Sequence, residues 1–390
     1  MSEMPANNLL KPPPLSLYVH MPWCVRKCPY CDFNSHQSPQ NMPAEEYIQA
    51  LIADLEEDLP MVWGRPVGSV YFGGGTPSLF KAEQISDFLS AVRARLDLRP
   101  DVEITLEANP GSIEHDSFTA YAKAGINRVS LGVQSFDDEM LKRIGRIHGR
   151  DEVEQSLQSL KAAGILNFNI DLMYALPGQS PAQSKSDIEL AIAAGPAHIS
   201  FYQLTIEPNT AFAIKPPQLP EEDLAWEMQQ AGLELIEAAG FEQYEISAYA
   251  KAGMQSRHNM NYWRYGDFLA VGAGAHGKIT LAAESRVLRY AKQRQPKRYL
   301  KSLQRGDWVA ETRELNDEDR VFEFFLNQLR LKNGFKIDDF TARTGLAWQV
   351  VESRVQRAID KGLLELSEKR LRPTELGWRF VNDIQQLFLP

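Results

Sequence analysis

Cys24, Cys28 and Cys31 are the only cysteines of the chain, and they stand at a C-x3-C-x2-C spacing in Tyr18-Val-His-Met-Pro-Trp-Cys24-Val-Arg-Lys-Cys28-Pro-Tyr-Cys31. Thiolates are soft ligands that select iron–sulfur clusters, zinc or copper over hard cations. A structural zinc wants four ligands, usually two spaced pairs of Cys or His. Three thiolates without a fourth leave one metal position free of cysteine, as in a cubane with one iron open to another ligand. His20 and His36 are near enough in sequence to keep a zinc reading alive.

A second signature, Gly73-Gly74-Gly75-Thr76, ends an apolar run from Val67 to Phe72. Lacking a Cβ, such a turn either brings backbone N–H and C=O groups close to a ligand or is a plain tight turn. Both motifs need elements to hold them. Leu15–His20, Val67–Phe72, Val102–Glu107, Arg128–Val133, Phe168–Met173 and His198–Leu204 read as buried strands. Between them run helical patterns, such as Tyr47, Ile48, Leu51, Ile52 and Leu55 on one face after Pro43. Strands alternating with helices imply βαβ units and a parallel sheet. In such folds ligand-handling groups sit at the C-terminal ends of the strands. The cysteine loop, the glycine turn, Glu107, Gln134, Asp171 and Gln203 are therefore expected on one rim.

The chain of 390 residues carries a net charge of −9, which opposes general nucleic-acid binding. Three cysteines confined to one motif leave no disulfide framework and point to a reducing compartment, the cytosol. Residues 1–14 are a polar, proline-rich leader without a secretory pattern. No apolar run reaches the ~18 residues needed to span a bilayer, so no membrane insertion is expected.

Residues 15–206 form the βα unit and 207–300 an extension. The extension holds a helix from about Glu221 to Ala239, then an irregular, aromatic-rich stretch from Tyr244 to Phe268, then the glycines of Val271–Gly277. Lys292–Arg305 reads as a basic connection. A last unit, 315–390, has three helices, two short strands and a closing helix, a winged-helix-like pattern. With no basic recognition helix and an acidic chain, that unit reads as a cap or docking surface rather than a DNA binder.

The motif Tyr18-Val-His-Met-Pro-Trp-Cys24…Cys28-Pro-Tyr-Cys31 together with Gly73-Gly74-Gly75-Thr76-Pro77 resembles the radical S-adenosylmethionine (SAM) superfamily. The whole chain from Leu15 resembles the branch that contains oxygen-independent coproporphyrinogen III oxidase and the HemW-like heme chaperones. The resemblance implies an α/β fold, a partial (β/α)6 barrel followed by the winged-helix-like domain. It implies Cys24, Cys28 and Cys31 as ligands of a [4Fe–4S] cluster whose open iron takes the amino and carboxylate groups of SAM. It implies SAM contacts from Tyr18, Gly74, Gly75, Thr76, Glu107, Gln134, Arg146 and Asp171, with Leu204 or Thr205 beside the adenosine. Glu107 would accept from the ammonium, Arg146 pair with the carboxylate, and Asp171 accept from ribose hydroxyls.

Within the branch two features divide the possibilities. The oxidase has a further cysteine two residues after the third, where this chain has Phe33, and a longer N-terminal arm. In contrast, His258-Asn259-Met260-Asn261-Tyr262-Trp263 fits the H-N-x-x-Y-W signature of the chaperones. The favoured reading is thus a protein that binds heme and delivers it to recipient hemoproteins, membrane-bound respiratory enzymes among the candidates. On that reading the protein is cytoplasmic and reaches a membrane only through a partner. A radical SAM enzyme of the oxidase type is the alternative. Heme needs an apolar slot and an axial ligand. The Tyr244–His276 stretch offers aromatics, Met254, Met260, His276 and above all His258, with Arg257 and Arg264 for the propionates. His20 and His148 read as structural or site-lining groups.

Overall fold

A computed structural model describes residues 10–111 and 116–389. The first nine residues of the expected leader lie outside the described residues. Its remainder is a strap: Leu10 is buried with Val287 and Leu315, the Lys11 amide donates to the Ala342 carbonyl at 2.7 Å, and Arg65 donates to the Pro13 carbonyl at 2.6 Å.

All six expected strands form, as β1 (Leu15–Met21), β2 (Val67–Gly74), β3 (Leu98–Ala108), β4 (Arg128–Gln134), β5 (Phe168–Tyr174) and β6 (His198–Gln203). They pair in parallel in that order. The extension supplies β7 (Glu242–Glu245), β8 (Ala248–Ala250), β9 (Asp267–Val271), β10 (His276–Leu281), β11 (Arg286–Lys292) and β12 (Val309–Glu314). The full order is β12-β11-β10-β9-β1-β2-β3-β4-β5-β6-β8-β7, so the sheet is a partial barrel that does not close on itself. The irregular aromatic stretch is more ordered than its sequence suggests. It contains the helix Arg257–Trp263 and leads into β9, a seventh parallel strand paired with β1. The expected connection after Lys292 is also partly a helix, Pro296–Arg305, with Tyr299 fully buried.

Side chains alternate along the strands as the pleat requires. Val70, Phe72, Ile104, Leu106, Val129, Leu131, Ile170 and Leu172 are buried in the main core, into which the helices Ala44–Asp58, Ala82–Arg95, Arg150–Ala162 and Pro181–Ala194 pack their apolar faces. The opposite set faces a polar lumen and pairs across it: Tyr71 donates to Glu107 at 2.8 Å, and Ser130 to Asp171 at 3.2 Å. The helices begin where capping chemistry allows. Ser180 Oγ accepts from the Gln183 amide and Gln183 Oε1 accepts from the Ser180 amide, a reciprocal cap, while Gly195 at a φ of +72° ends that helix.

The C-terminal part is mostly helical. Helices Asp317–Gln328, Ile337–Thr344 and Gln349–Asp360 gather around Phe324, Phe325 and Phe340, with a three-stranded sheet of β13 (Phe335–Lys336), β15 (Arg370–Pro373) and β14 (Leu364–Ser367) at the side. Tyr265, from the end of the aromatic stretch, is wholly buried in this second core.

Candidate functional site

The cysteine loop leaves β1 and is pinned at both ends. A short parallel pair joins Trp23–Cys24 to His36–Gln37, and the Ser38 amide donates to the Cys24 carbonyl at 2.8 Å. Below it, Tyr18 and His20 act as props. Tyr18 Oη lies 3.0 Å from His20 Nδ1, and His20 Nε2 lies 2.9 Å from the Asn34 carbonyl. Burial pushes the His20 imidazole down to about 4, so it is neutral near pH 7.

The glycine turn serves the protein before any ligand. A Cβ on Gly74 would lie 2.4 Å from the His20 ring, and one on Gly75 would lie 2.5 Å from the Trp23 carbonyl. The Gly75 and Thr76 amides donate to the Met21 and Trp23 carbonyls, each at 2.7 Å. Gly74 and Gly75 are thus what lets β2 end against β1 and the cysteine loop, while a Cβ on Gly73 would meet Tyr71 and Glu107.

Glu107, at the end of β3, is held by the Tyr71 hydroxyl at 2.8 Å and the Gly74 amide at 3.1 Å. Burial raises its carboxyl to about 7, and nearby Asp171 pushes the same way against the Tyr71 hydrogen bond. A carboxyl poised near neutrality gains by ionising beside a cation. Gln134, 5 % exposed, ends β4 in the left-handed region at a φ of +71° and accepts from Tyr202 Oη at 2.7 Å. A non-glycine residue held there is strained, a cost that concentrates at functional sites.

Arg146 follows the helix Asp138–Arg143, which Asp137 caps by accepting from the Glu139 and Met140 amides. Its guanidinium donates to the Gly132 carbonyl at 2.6 Å and to the Asn109 side chain, and Nη1 lies 3.6 Å from Cys28 Sγ. Asn109 in turn donates to Thr76 Oγ1 at 3.0 Å. A cation thus links the cysteine loop, β3 and β4.

One cavity of about 360 Å³ is lined by Cys24, Cys28, Cys31, Gly74, Gly75, Thr76, Glu107, Gln134, Arg146 and Asp171, together with Leu204 and Thr205. Gln203 and His148 also line it. Two of the expected site residues are not on that wall. Tyr18 lies behind it, bonded to His20 and stacked on Tyr71, which holds Glu107 on the wall. His258 lies lower still. Its ring stacks on Tyr71 with centroids 4.7 Å apart, and Nδ1 is 3.4 Å from Ser69 Oγ. Burial pushes that imidazole down to about 3. Sequence reading missed Asn109, Tyr202 and Tyr30, which hold Gln134 and Arg146 in place. Their position at or just past strand ends was the one signal available for Asn109 and Tyr202.

The donor set fits a cluster. All three cysteines are half-buried on one cavity wall, and no imidazole or carboxylate gathers with them into a single-ion cage among the described residues. Both nitrogens of His20 are engaged, so it does not complete a zinc site. Soft thiolates facing a cavity lined by a carboxyl and a guanidinium suit an iron–sulfur cluster beside a zwitterionic ligand.

Comparison with known proteins agrees. Residues 18–191 match the radical SAM superfamily, and residues 315–380 match the HemN C-terminal domain. The heme chaperone HemW of Escherichia coli is 46% identical over 98% of this chain and 100% of its own length. HemW of Haemophilus influenzae is 45% identical over 97% and 99%, and that of Bacillus subtilis 32% over 96% and 99%. Among solved structures, coproporphyrinogen III oxidase from Escherichia coli superposes with a TM-score of 0.81 at 23% identity, covering 97% of this chain and 90% of its own, a likeness of fold. The chain belongs to the radical SAM superfamily and, within it, to the HemW heme chaperone family, a membership that brings with it a [4Fe–4S] cluster and SAM.

Proposed function

We propose that this protein binds heme and hands it to recipient hemoproteins, with a SAM-liganded [4Fe–4S] cluster at the barrel rim. The observation that carries the reading is the end-to-end likeness to heme chaperones, 46% identity with both chains covered almost fully. Phe33 supports it. The side chain is 60 % exposed beside the cluster loop, where the oxidase branch has a further cysteine.

In this reading Cys24, Cys28 and Cys31 hold the cluster. Glu107 accepts from the SAM amino group, Arg146 pairs with its carboxylate and Asp171 accepts from the ribose hydroxyls, with Gly74, Gly75, Thr76 and Gln134 shaping the wall. Tyr18 contributes through His20. His258 acts as an axial ligand once its ring turns from Tyr71. The working units are 15–206 for cluster and SAM, 207–300 for the heme segment and 315–390 for the cap. The recipient is a cytoplasmic or membrane-bound hemoprotein, such as a respiratory enzyme, met by docking. Among the described residues no helix is long and apolar enough to cross a membrane.

The test is a heme titration of the reconstituted protein read at the Soret band, followed by transfer to an apo-hemoprotein, with His258→Ala alongside. Stoichiometric binding and transfer are expected. Protoporphyrinogen formed from coproporphyrinogen III by the reduced protein with SAM overturns the chaperone reading in favour of the oxidase.

A further inference from the structure

A second cavity, about 760 Å³, lies at the opposite end of the barrel, where the N-terminal ends of β1 and β2 meet the helix Arg257–Trp263 and the C-terminal part. Its volume falls within the roughly 300–1,000 Å³ of small-molecule sites. Its wall carries Arg99, Arg257, Arg264, Lys336, Arg343 and Arg370 against only Asp101 and Asp339. Six cations against two acids is a local excess of positive charge in a chain whose net charge is −9.

Two of those cations are already neutralised. Arg99 and Arg257 pair with Asp101 at 3.2 and 2.8 Å. Among the described residues, Arg264, Lys336, Arg343 and Arg370 are in no ion pair. Arg370 donates only to the Asn333 and Gly334 carbonyls, at 3.0 and 3.3 Å. Arg343 donates to the Arg264 carbonyl at 2.6 Å. Burial and the adjacent Arg264 charge hold the Arg343 guanidinium below the usual arginine range, against Asp339 and Asp267. Planar guanidiniums in no ion pair suit bidentate capture of carboxylate ligands. Gln328, 2 % exposed, also lines this cavity, and its amide oxygen is buried without a partner.

The rest of the wall is mixed, with Ser16, Ser69, Gln255 and Asn261 beside an apolar group. Leu331 and Phe335 come from the C-terminal part, and Met260 and Tyr244 from the extension. Arg257, Met260, Asn261 and Arg264 recur at helical spacing, so one face of the H-N-x-x-Y-W helix forms the cavity wall. His258, one step round that helix, sits directly behind Ser69.

We propose that heme binds in this joint, its ring against Met260, Leu331 and Phe335 and its two propionates against Arg264 and Arg343. The proposal rests on the heme-chaperone reading and adds a location to it. The heme is held between barrel and C-terminal part, at the opposite end of the barrel from SAM, so the two ligands do not compete for space.

The experiment is a Soret titration of the full-length, cluster-loaded protein with heme and with heme dimethyl ester, for wild type and for Arg264→Gln/Arg343→Gln. Loss of two charge-assisted contacts is expected to weaken heme binding by roughly tenfold to a hundredfold in the double variant, with SAM binding and the cluster spectrum unchanged. Wild type should bind the ester about as weakly as the variant binds heme. Heme and ester binding equally well to wild type, or the variant binding heme like wild type, overturns the location while leaving the chaperone reading standing. Wild type that binds no heme overturns both. The ester arm decides the matter even where the variant fails to fold.

Discussion

Gly145 and Pro29 touch so closely that a Cβ on Gly145 would lie 2.5 Å from Pro29 Cδ, and Gly145 holds a φ of +74°. The contact joins the loop that carries Arg146 to the loop that carries Cys28 and Cys31. Through it, Arg146 Nη1 comes within 3.6 Å of Cys28 Sγ. Gly145→Ala meets both obstacles. The left-handed backbone alone costs about 1–2 kcal/mol in a non-glycine residue. The added methyl also pushes the loops apart. Reconstituted Gly145→Ala should retain less iron and bind SAM several-fold more weakly, read by iron and sulfide content and by equilibrium dialysis. Normal iron content with normal SAM affinity would show the two loops to be independent.

Glu107 gives the SAM site a pH dependence. Its carboxyl is raised to about 7, first by burial and then by Asp171. An amino N–H donated to Glu107 stabilises the ionised form, so SAM binding below pH 7 must expel a proton from Glu107. Affinity should therefore rise with pH toward about 7 and level off above it. The same raised value makes ionised Glu107 a burden on the ligand-free fold, one that grows as pH rises from the unfolded value through about 7. Calorimetry of SAM binding in buffers of different ionisation enthalpy should detect the released proton at pH 6, and Glu107→Gln should release fewer protons than wild type. A pH profile of affinity that Glu107→Gln leaves unchanged would remove the amino-binding role from Glu107.

The rim was legible in the sequence because strand ends announce themselves. Apolar runs broken by Gly73-Gly74-Gly75, by Asn109-Pro110-Gly111 or by Pro177-Gly178 locate the points where a parallel sheet turns its ligands outward. The lumen beneath was not legible. Arg128, 2 % exposed with its Nε unpartnered, opens β4 in the barrel interior, yet in sequence it is only a charged residue before an apolar run. The joint with the C-terminal part was equally hidden. Arg264 and Arg343 are 79 positions apart, and the hydrogen bond between them is a property of the fold. The purpose of the triple glycine was half legible: the turn was expected, but its cause is close packing on Glu107, His20 and the start of the cysteine loop.

His258 should matter to SAM as well as to heme. Its ring stacks on Tyr71, whose hydroxyl holds Glu107 at 2.8 Å. Removing the ring leaves a void beside Tyr71, and His258→Ala should cost about 1–3 kcal/mol of unfolding free energy. With Tyr71 free to tilt, SAM affinity should fall several-fold. His258→Phe, which restores an aromatic face, should recover both stability and SAM affinity. Denaturant unfolding and SAM titration of the two variants separate the packing contribution from any role in heme ligation. If the Phe variant is as impaired as the Ala variant, the imidazole nitrogens themselves serve the lumen.

Lys292 shows why the segment after it was misread. The sequence from Lys292 to Arg305 is dominated by basic residues and lacks an obvious apolar stripe, so it reads as a connection. In the fold, the Lys292 side chain is fully buried and its ammonium lies 2.6 Å from Asp54 Oδ1 and 2.7 Å from Asp58 Oδ2. Tyr299, on the helix that follows, donates to Asp54 at 2.7 Å. Burial raises both carboxyls, Asp58 to about 6, while the lysine charge pulls them back. The network ties the helix Ala44–Asp58 to β11 and to the helix Pro296–Arg305, and so fastens the extension to the barrel. Lys292→Ala would leave two buried carboxyls without a counter-charge, a loss of about 3–5 kcal/mol in unfolding free energy. Lys292→Ala/Asp54→Asn/Asp58→Asn, which removes the stranded charges as well, should recover a large part of that loss. Equilibrium denaturation of the single and triple variants measures it. A single variant as stable as wild type would mean that solvent reaches the carboxyls and that the extension is held by its apolar contacts alone.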